Sequence, residues 1–191
     1  MVGSAKAVFL DRDGVLSIPE FRDGRSFAPK RAADFRLYPD AAASVARLKA
    51  AGYLTVVATN QPDVGNGNVA RSEIEAMHAM MRAALPLDAI KVCYHRQGDG
   101  CTCRKPAPGM LHSAAAELGL DLPASVMVGD RASDVEAGRA AGCGTLFIDR
   151  GYTAEDAPTG QDATVASLAD AVEWILDPAR AQSPAAAQPV S

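Results

Sequence analysis

Short apolar runs and longer amphipathic stretches alternate along most of the chain. Residues 6–10, 53–58, 90–94, 125–128 and 145–148 carry Val, Ile, Leu, Met or Phe at close intervals, and Gly, Asp or Asn follow most of them. Runs this short and this apolar are expected as strands buried on both faces. Between them the apolar positions take a helical spacing. Residues 40–51 follow Pro39 and stop at Gly52, with Val45 and Leu48 on one face. Residues 72–85 open with Ser72 and Glu75 at the spacing of a capping box and stop before Pro86. Residues 108–118 and 131–141 each run into a glycine, Gly119 and Gly142, suited to a left-handed terminator. Residues 167–176 make a last amphipathic helix, with Val172 and Ile175 as its expected core positions.

Strand–helix alternation of this kind predicts an α/β, three-layer Rossmann-like fold with a central parallel sheet covered on both faces. No segment is long enough for a large cap domain, so a capless domain with loop insertions only is expected. Ligands in such sheets gather beyond the carboxyl ends of the strands. Three segments break the rhythm: residues 14–33, the Gly/Asn-rich 61–70, and 93–105. Loops of this length in a small domain tend to carry function. A single domain is expected over residues 1–177, and residues 178–191, rich in Ala, Pro and Gln, are expected as a disordered tail.

Composition narrows the partners. A net charge of −4 over 191 residues offers no basic surface able to track a polyphosphate backbone, so no nucleic-acid partner is expected. There is no run of about 18 apolar residues, so no membrane span is expected. The first ten residues are too short and too soon interrupted by Asp11 to form a secretory leader. The chain is expected to be cytoplasmic and a monomer.

Candidate chemistry sits where the predicted strands end. The first runs into Asp11-Arg12-Asp13-Gly14. By itself this is an ordinary polar turn, yet two carboxylates at a strand mouth can divide the work of a nucleophile and a proton carrier. Their repulsion toward a phosphate calls for a divalent cation. The second strand ends in Thr59-Asn60, whose hydroxyl and backbone N–H could hold a phosphoryl oxygen. Arg104-Lys105 stands before a helix, and Lys105 could act there as a point charge. The fourth strand ends in Gly129-Asp130, with Asp134 one turn on. These two acids could ligate a hard cation or serve as a cap and a first-turn acid.

In that order, Asp11-Arg12-Asp13-Gly14, Thr59, Lys105 and Gly129-Asp130 with Asp134 resemble the four motifs of the haloacid-dehalogenase-like superfamily, over about residues 5–150. The resemblance implies a phosphatase in which Asp11 forms an aspartyl-phosphate. Asp13 would protonate the leaving oxygen and then activate water, while Thr59 and Lys105 would steady the phosphoryl group. Mg2+ would be held by Asp11, the carbonyl of Asp13 and Asp130, with Asp134 in support.

Three of the four cysteines crowd into eleven residues with a histidine, as Cys93-Tyr94-His95 and Cys101-Thr102-Cys103. Three thiolates and an imidazole suit a closed tetrahedral zinc site, and its loop leads straight into Arg104-Lys105. Cys143, His78 and His112 are expected to be inert. The whole run, with Thr59-Asn60-Gln61, is similar to the zinc-bearing phosphatases that include the heptose 1,7-bisphosphate and histidinol-phosphate enzymes. That likeness implies a small phosphorylated metabolite as substrate, a heptose bisphosphate first and histidinol phosphate as the alternative, with Asn60, Gln61 and Arg104 meeting it. A nucleic-acid 3′-phosphatase and a phospho-accepting signalling domain rank lower, the latter because Asp13 would shorten any signal. The chain departs from the heptose enzymes at Pro62-Asp63-Val64-Gly65-Asn66-Gly67, where they usually carry Ser-Gly and a basic residue. Arg22, Arg25 and Lys30 in the long first loop could replace the missing charge.

Overall fold

Every residue of β1 (Ala7–Leu10) is buried, which requires a layer of structure on each face of the strand. A computed structural model, which describes residues 5–179, provides both layers. β1 lies inside a parallel sheet of six strands in the order β5 (Ala89–Cys93), β4 (Leu54–Asn60), β1, β6 (Val126–Gly129), β7 (Gly144–Ile148) and β8 (Ala163–Val165). The chain winds outward from β1 through β4 and β5, then crosses to the other side of β1 and continues through β6 to β8. The reversal falls beside β1, which opens a crevice at its carboxyl end.

Successive side chains leave the sheet on opposite faces and feed two cores. Val8, Leu10, Val57 and Val128 join Val45 and Leu48 of α1 (Ala41–Ala50), Met77 and Met81 of α3 (Arg71–Ala84), and Val172 and Ile175 of α6 (Leu168–Leu176). Ala7, Phe9, Val56, Ala58 and Met127 join Met110 and Leu111 of α4 (Gly109–Leu118). α5 (Ala132–Ala140) lies on β6 and β7. It comes close because Gly138 has no side chain; a Cβ there would collide with Met127 and Thr145. Cys143 is buried, and His78 is buried in α3. The expected tail falls largely on residues 180–191, outside the described residues.

Two local expectations need correction. The helix read as starting at Ser72 starts at Arg71, after Ala70, with no side-chain cap. Glu75 does not fold back onto the helix start, because its carboxylate accepts the Tyr94 hydroxyl at 2.7 Å. Residues 14–33 are also more ordered than a loop. They contain a hairpin, β2 (Glu20–Arg22) and β3 (Arg25–Phe27), followed by a short 3-10 turn, Ala32–Asp34. Asp23 and Gly24 join the strands, both at positive φ (51° and 75°), as a two-residue hairpin turn requires. A single helical turn, α2 (Pro62–Gly65), follows β4.

Candidate active site

Four elements deliver polar side chains to the crevice. Asp11 leaves the end of β1, Thr59 is the next-to-last residue of β4, Asp130 follows β6, and Asp134 sits in the first turn of α5. Each is at least nine-tenths buried, as is Lys105. The Lys105 ammonium binds the group together. It donates to Asp11 Oδ1 at 2.7 Å, to the Ala58 carbonyl at 2.6 Å and to Asp134 Oδ1 at 2.6 Å. Burial works against that cation, but Asp11 and Asp134 more than offset it, so the Lys105 pKa lies above the ordinary value. Asp11 titrates at about 6, raised by burial, held back by Lys105, and pushed further by Asp134 and Asp13. Asp130 is raised more strongly, by burial first and then by Asp11 and Asp134.

Asp11, Asp130 and Asp134 each bring a carboxylate oxygen within 4.8 Å of the others. Three buried carboxylates against one lysine leave an excess of negative charge that a hard cation would neutralise. Asp130 Oδ1 supports the fit, since it is buried and has no hydrogen-bond partner. Its other oxygen accepts the Tyr152 hydroxyl at 2.6 Å. Asp134 is more heavily committed, because its second oxygen accepts the Arg131 backbone N–H at 3.1 Å. That bond makes Asp134, and not Asp130, the acid that closes the start of α5, and leaves Asp130 freer to meet a cation. Gly14 (φ 91°) is needed at the mouth, because a Cβ there would fall on the Asp130 carboxylate.

The other expected site residues are placed as follows. Thr59 is buried and its hydroxyl accepts the Gln61 amide at 2.9 Å. Gln61 donates from the same nitrogen to Asp13 at 3.0 Å, so its amide hydrogens are spent inside the protein. Asn60 also turns inward and clamps the backbone of Lys105, donating to its carbonyl at 3.0 Å and accepting its N–H at 3.1 Å. Asn60 and Gln61, expected at the substrate, thus hold the residues that surround it. Arg104 lines a 360 Å³ cleft with Arg96 and Lys105, and its Nη1 is buried without a partner.

The four cysteine-cluster ligands meet. Cys93, Cys101 and Cys103 lie 3.2–3.6 Å apart through their sulfurs, with His95 Nδ1 at 3.3 and 3.6 Å from two of them. These separations far exceed a disulfide bond, and the thiols are free. They lie within a few tenths of an ångström of the edges, about 3.5–3.8 Å, of a tetrahedron built on zinc–ligand lengths. Burial first, then the Cys103 thiol, pushes Cys93 up to about 12, so a thiolate there needs a cation. Two glycines admit the loop. A Cβ at Gly65 would meet the Tyr94 carbonyl, and one at Gly109 the Thr102 carbonyl.

Several neighbours were not foreseen. Tyr152 also stacks on Phe21 of the hairpin, ring centroids 5.9 Å apart. Arg131 ties the hairpin down through the Ser26 carbonyl and hydroxyl at 2.9 and 2.6 Å. Arg150 donates to the Gly14 carbonyl at 2.7 Å. Tyr152 and Arg150 lie in no recognisable motif, and Arg131 falls inside the Gly129–Asp134 motif at a position that the motif leaves open. The hairpin itself had a signal, Asp23-Gly24 between short apolar–polar alternations.

A parallel α/β sheet with carboxylates and a lysine massed at its carboxyl edge has the layout of a phosphoryl-transfer enzyme. Comparison with known proteins narrows the class. The family model described as HAD-hydrolase-like matches residues 102–171. D-glycero-beta-D-manno-heptose-1,7-bisphosphate 7-phosphatase of Pseudomonas aeruginosa is 35% identical over 153 residues, 78% of this chain and 83% of that protein. The Salmonella typhi enzyme of the same name is 34% identical and covers 93% of each chain. The crystal structure of D,D-heptose 1,7-bisphosphate phosphatase from Bordetella bronchiseptica, complexed with magnesium and phosphate, superposes with a TM-score of 0.76 at 31% identity, over 90% of this chain and 98% of that one. The chain belongs to the haloacid-dehalogenase-like hydrolases, and it is a phosphatase of that family. Among the described residues no helix is long and apolar enough to cross a membrane.

Proposed function

We propose that the protein removes the 7-phosphate from D-glycero-D-manno-heptose 1,7-bisphosphate. The carrying observation is the Lys105–Asp11–Asp134 cluster set beside the unpartnered Asp130 oxygen, together with relatives of that activity along nearly the whole chain. Asp11 attacks phosphorus, and the electron pair of the breaking ester bond goes to the leaving oxygen, which takes a proton from Asp13. Water then attacks the aspartyl-phosphate and gives its proton to Asp13, and the broken bond's electrons return to the Asp11 carboxylate. Lys105 and Thr59 hold the phosphoryl oxygens. Mg2+, on Asp11, Asp130 and the Asp13 carbonyl with Asp134 behind, would supply charge neutralisation for two anions brought together. Zn2+, on Cys93, His95, Cys101 and Cys103, would fix the loop that presents Arg104 and Lys105. The free thiols suit a reducing compartment, so the cytoplasm is where we place the reaction.

A 910 Å³ groove beside the hairpin is lined by the cations Arg22, Lys30, Arg31 and Arg36 and the acids Glu20, Asp34 and Asp63. Arg31 is paired with Asp34 at 2.8 Å and Arg22 with Glu20 at 3.7 Å. Lys30, and Arg36 whose hydrogen bonds go to carbonyls, give a distal phosphate a place to lie without the basic residue missing near Asn66. The test is a kcat/KM panel of heptose 1,7-bisphosphate in both anomers, the 7-monophosphate, histidinol phosphate and a 3′-phosphorylated oligonucleotide. The bisphosphate should lead by at least about tenfold, and a lead by histidinol phosphate would reverse the assignment. A second expectation concerns Tyr152. Tyr152→Phe removes the hydroxyl from Asp130 and should weaken Mg2+ binding by about tenfold, measured by calorimetric titration of the zinc-loaded protein.

A further inference from the structure

Arg12, second residue of the Asp-Arg-Asp-Gly run, is the largest fully buried side chain among the described residues, at 0% exposure. A buried guanidinium is costly, and here one of its nitrogens, Nη1, has no partner. The guanidinium carbon lies 5.9 Å from the centroid of the Phe35 ring, within reach of a cation–π contact, but that contact gives Nη1 no hydrogen-bond partner. An apolar side chain of similar size would fill this space at lower cost. What Arg12 does supply is a fork on Asp13. Its Nε meets the two carboxylate oxygens at 3.1 and 3.0 Å, and its Nη2 meets Oδ2 at 2.7 Å.

The rest of the carboxylate's surroundings complete the grip. The Ser17 hydroxyl donates to Oδ1 at 2.9 Å, and the Gln61 amide donates to Oδ2 at 3.0 Å. Ser17 is itself stapled to Arg12, through its N–H to the Arg12 carbonyl at 2.8 Å. Gln61 is bonded to Thr59. A planar fork fixes the tilt of a carboxylate as well as its position, which a lysine's point charge does not. Proton transfer in the transition state needs the donor oxygen within a few tenths of an ångström of its target.

We propose that Arg12 is the positioning residue of the phosphatase, holding the plane of Asp13 so that its proton reaches the leaving oxygen. The inference rests on the reading of Asp13 as the proton carrier, and the test separates the two. A sugar alkoxide leaves only if it is protonated, whereas a nitrophenolate leaves readily without a proton. kcat/KM reports only the steps up to phosphoryl transfer onto Asp11. In Arg12→Gln, kcat/KM on the best sugar phosphate of the panel should therefore fall at least about 30-fold further than kcat/KM on p-nitrophenyl phosphate. Asp13→Asn should show the same skew, larger. Adding Arg12→Gln to Asp13→Asn should cost less than about threefold more, because Arg12 acts through the carboxylate already lost.

Should Arg12→Gln fail to fold, Arg12→Lys and Ser17→Ala carry the same measurement. Both should be skewed toward loss on the sugar phosphate, Ser17→Ala by about three- to tenfold. Even losses on the two esters in the Arg12 and Ser17 variants, with Asp13→Asn skewed, would overturn the role of Arg12 and leave Asp13 in place. Additive losses in the double variant would overturn it as well. No skew in Asp13→Asn would overturn the assignment of Asp13 itself.

Discussion

Asp11→Asn is expected to lower kcat by at least about 10⁴-fold, since no covalent intermediate can form without the carboxylate. The same substitution should stabilise the metal-free protein at pH 8. The Asp11 carboxyl titrates at about 6 in the fold against 3.8 unfolded, with burial the largest cause. Between those values the folded state holds the proton that the unfolded state has released, so stability falls as pH rises from about 4 to 6 and stays low above. Asn resembles the protonated form and escapes that loss, by an amount on the order of 1–3 kcal/mol at pH 8 that vanishes near pH 4. Lys105 keeps Asp134 and the Ala58 carbonyl as partners in the variant. His78 runs the other way. Burial, then Arg12, lowers its pKa to about 4, so its contribution to stability is lost as pH falls below about 6.5. Comparing variant with wild type at each pH cancels that background. Mg2+ should raise the wild-type melting temperature at pH 8 far more than at pH 4.5. A variant that keeps more than about 1% of activity would sink the nucleophile assignment, and one that melts below wild type at pH 8 without metal would sink the raised Asp11 pKa.

The buried cluster around Asp11 was legible in the sequence only as a list of charges. Strand ends could be read from apolar runs, and the runs placed Asp11, Thr59 and Asp130 at one edge of the sheet because parallel strands leave no other choice. Side-chain direction could not be read. Asn60 ends the strand that carries Thr59 and Gln61 follows it, and contiguity suggested a shared substrate; only the fold shows their amides closing on Lys105 and on Asp13. Arg12 was the reverse case. It stood between two carboxylates, and neither its full burial nor its place near the Phe35 ring is written in that run. Tyr152 and Arg150 lie in a segment with neither period nor motif, so their bonds to Asp130 and Gly14 are tertiary facts. The clustering of Cys93, His95, Cys101 and Cys103 was the easiest feature to read, because thiol density is informative before any fold is known.

Loss of zinc should be the most disruptive change that leaves every catalytic side chain in place. Between Cys93, the last residue of β5, and Gly109, the first of α4, there is neither helix nor strand. Apart from the thiols, the bonds made by the backbone of residues 101–107 are few: Ala107 to the Arg104 carbonyl at 2.8 Å, Gly109 to the Thr102 carbonyl at 3.0 Å, and the two between Asn60 and Lys105. Four ligands on one ion would outweigh all of them, since zinc in small sites contributes on the order of 10 kcal/mol or more to ordering its ligands. Lys105 is two residues from the last ligand, and its ammonium must reach Asp11 within 2.7 Å. Cys103→Ser, or stripping with a zinc-selective chelator, should therefore cut kcat by at least about 100-fold and lower the melting temperature by about 10 °C or more. Mg2+ added in excess should restore neither, because a hard cation prefers oxygen to thiolate; Zn2+ should restore both after stripping. Metal analysis of untreated protein should give about one zinc per chain. Full activity in a preparation free of zinc would show that the loop holds Lys105 in place by its own backbone bonds.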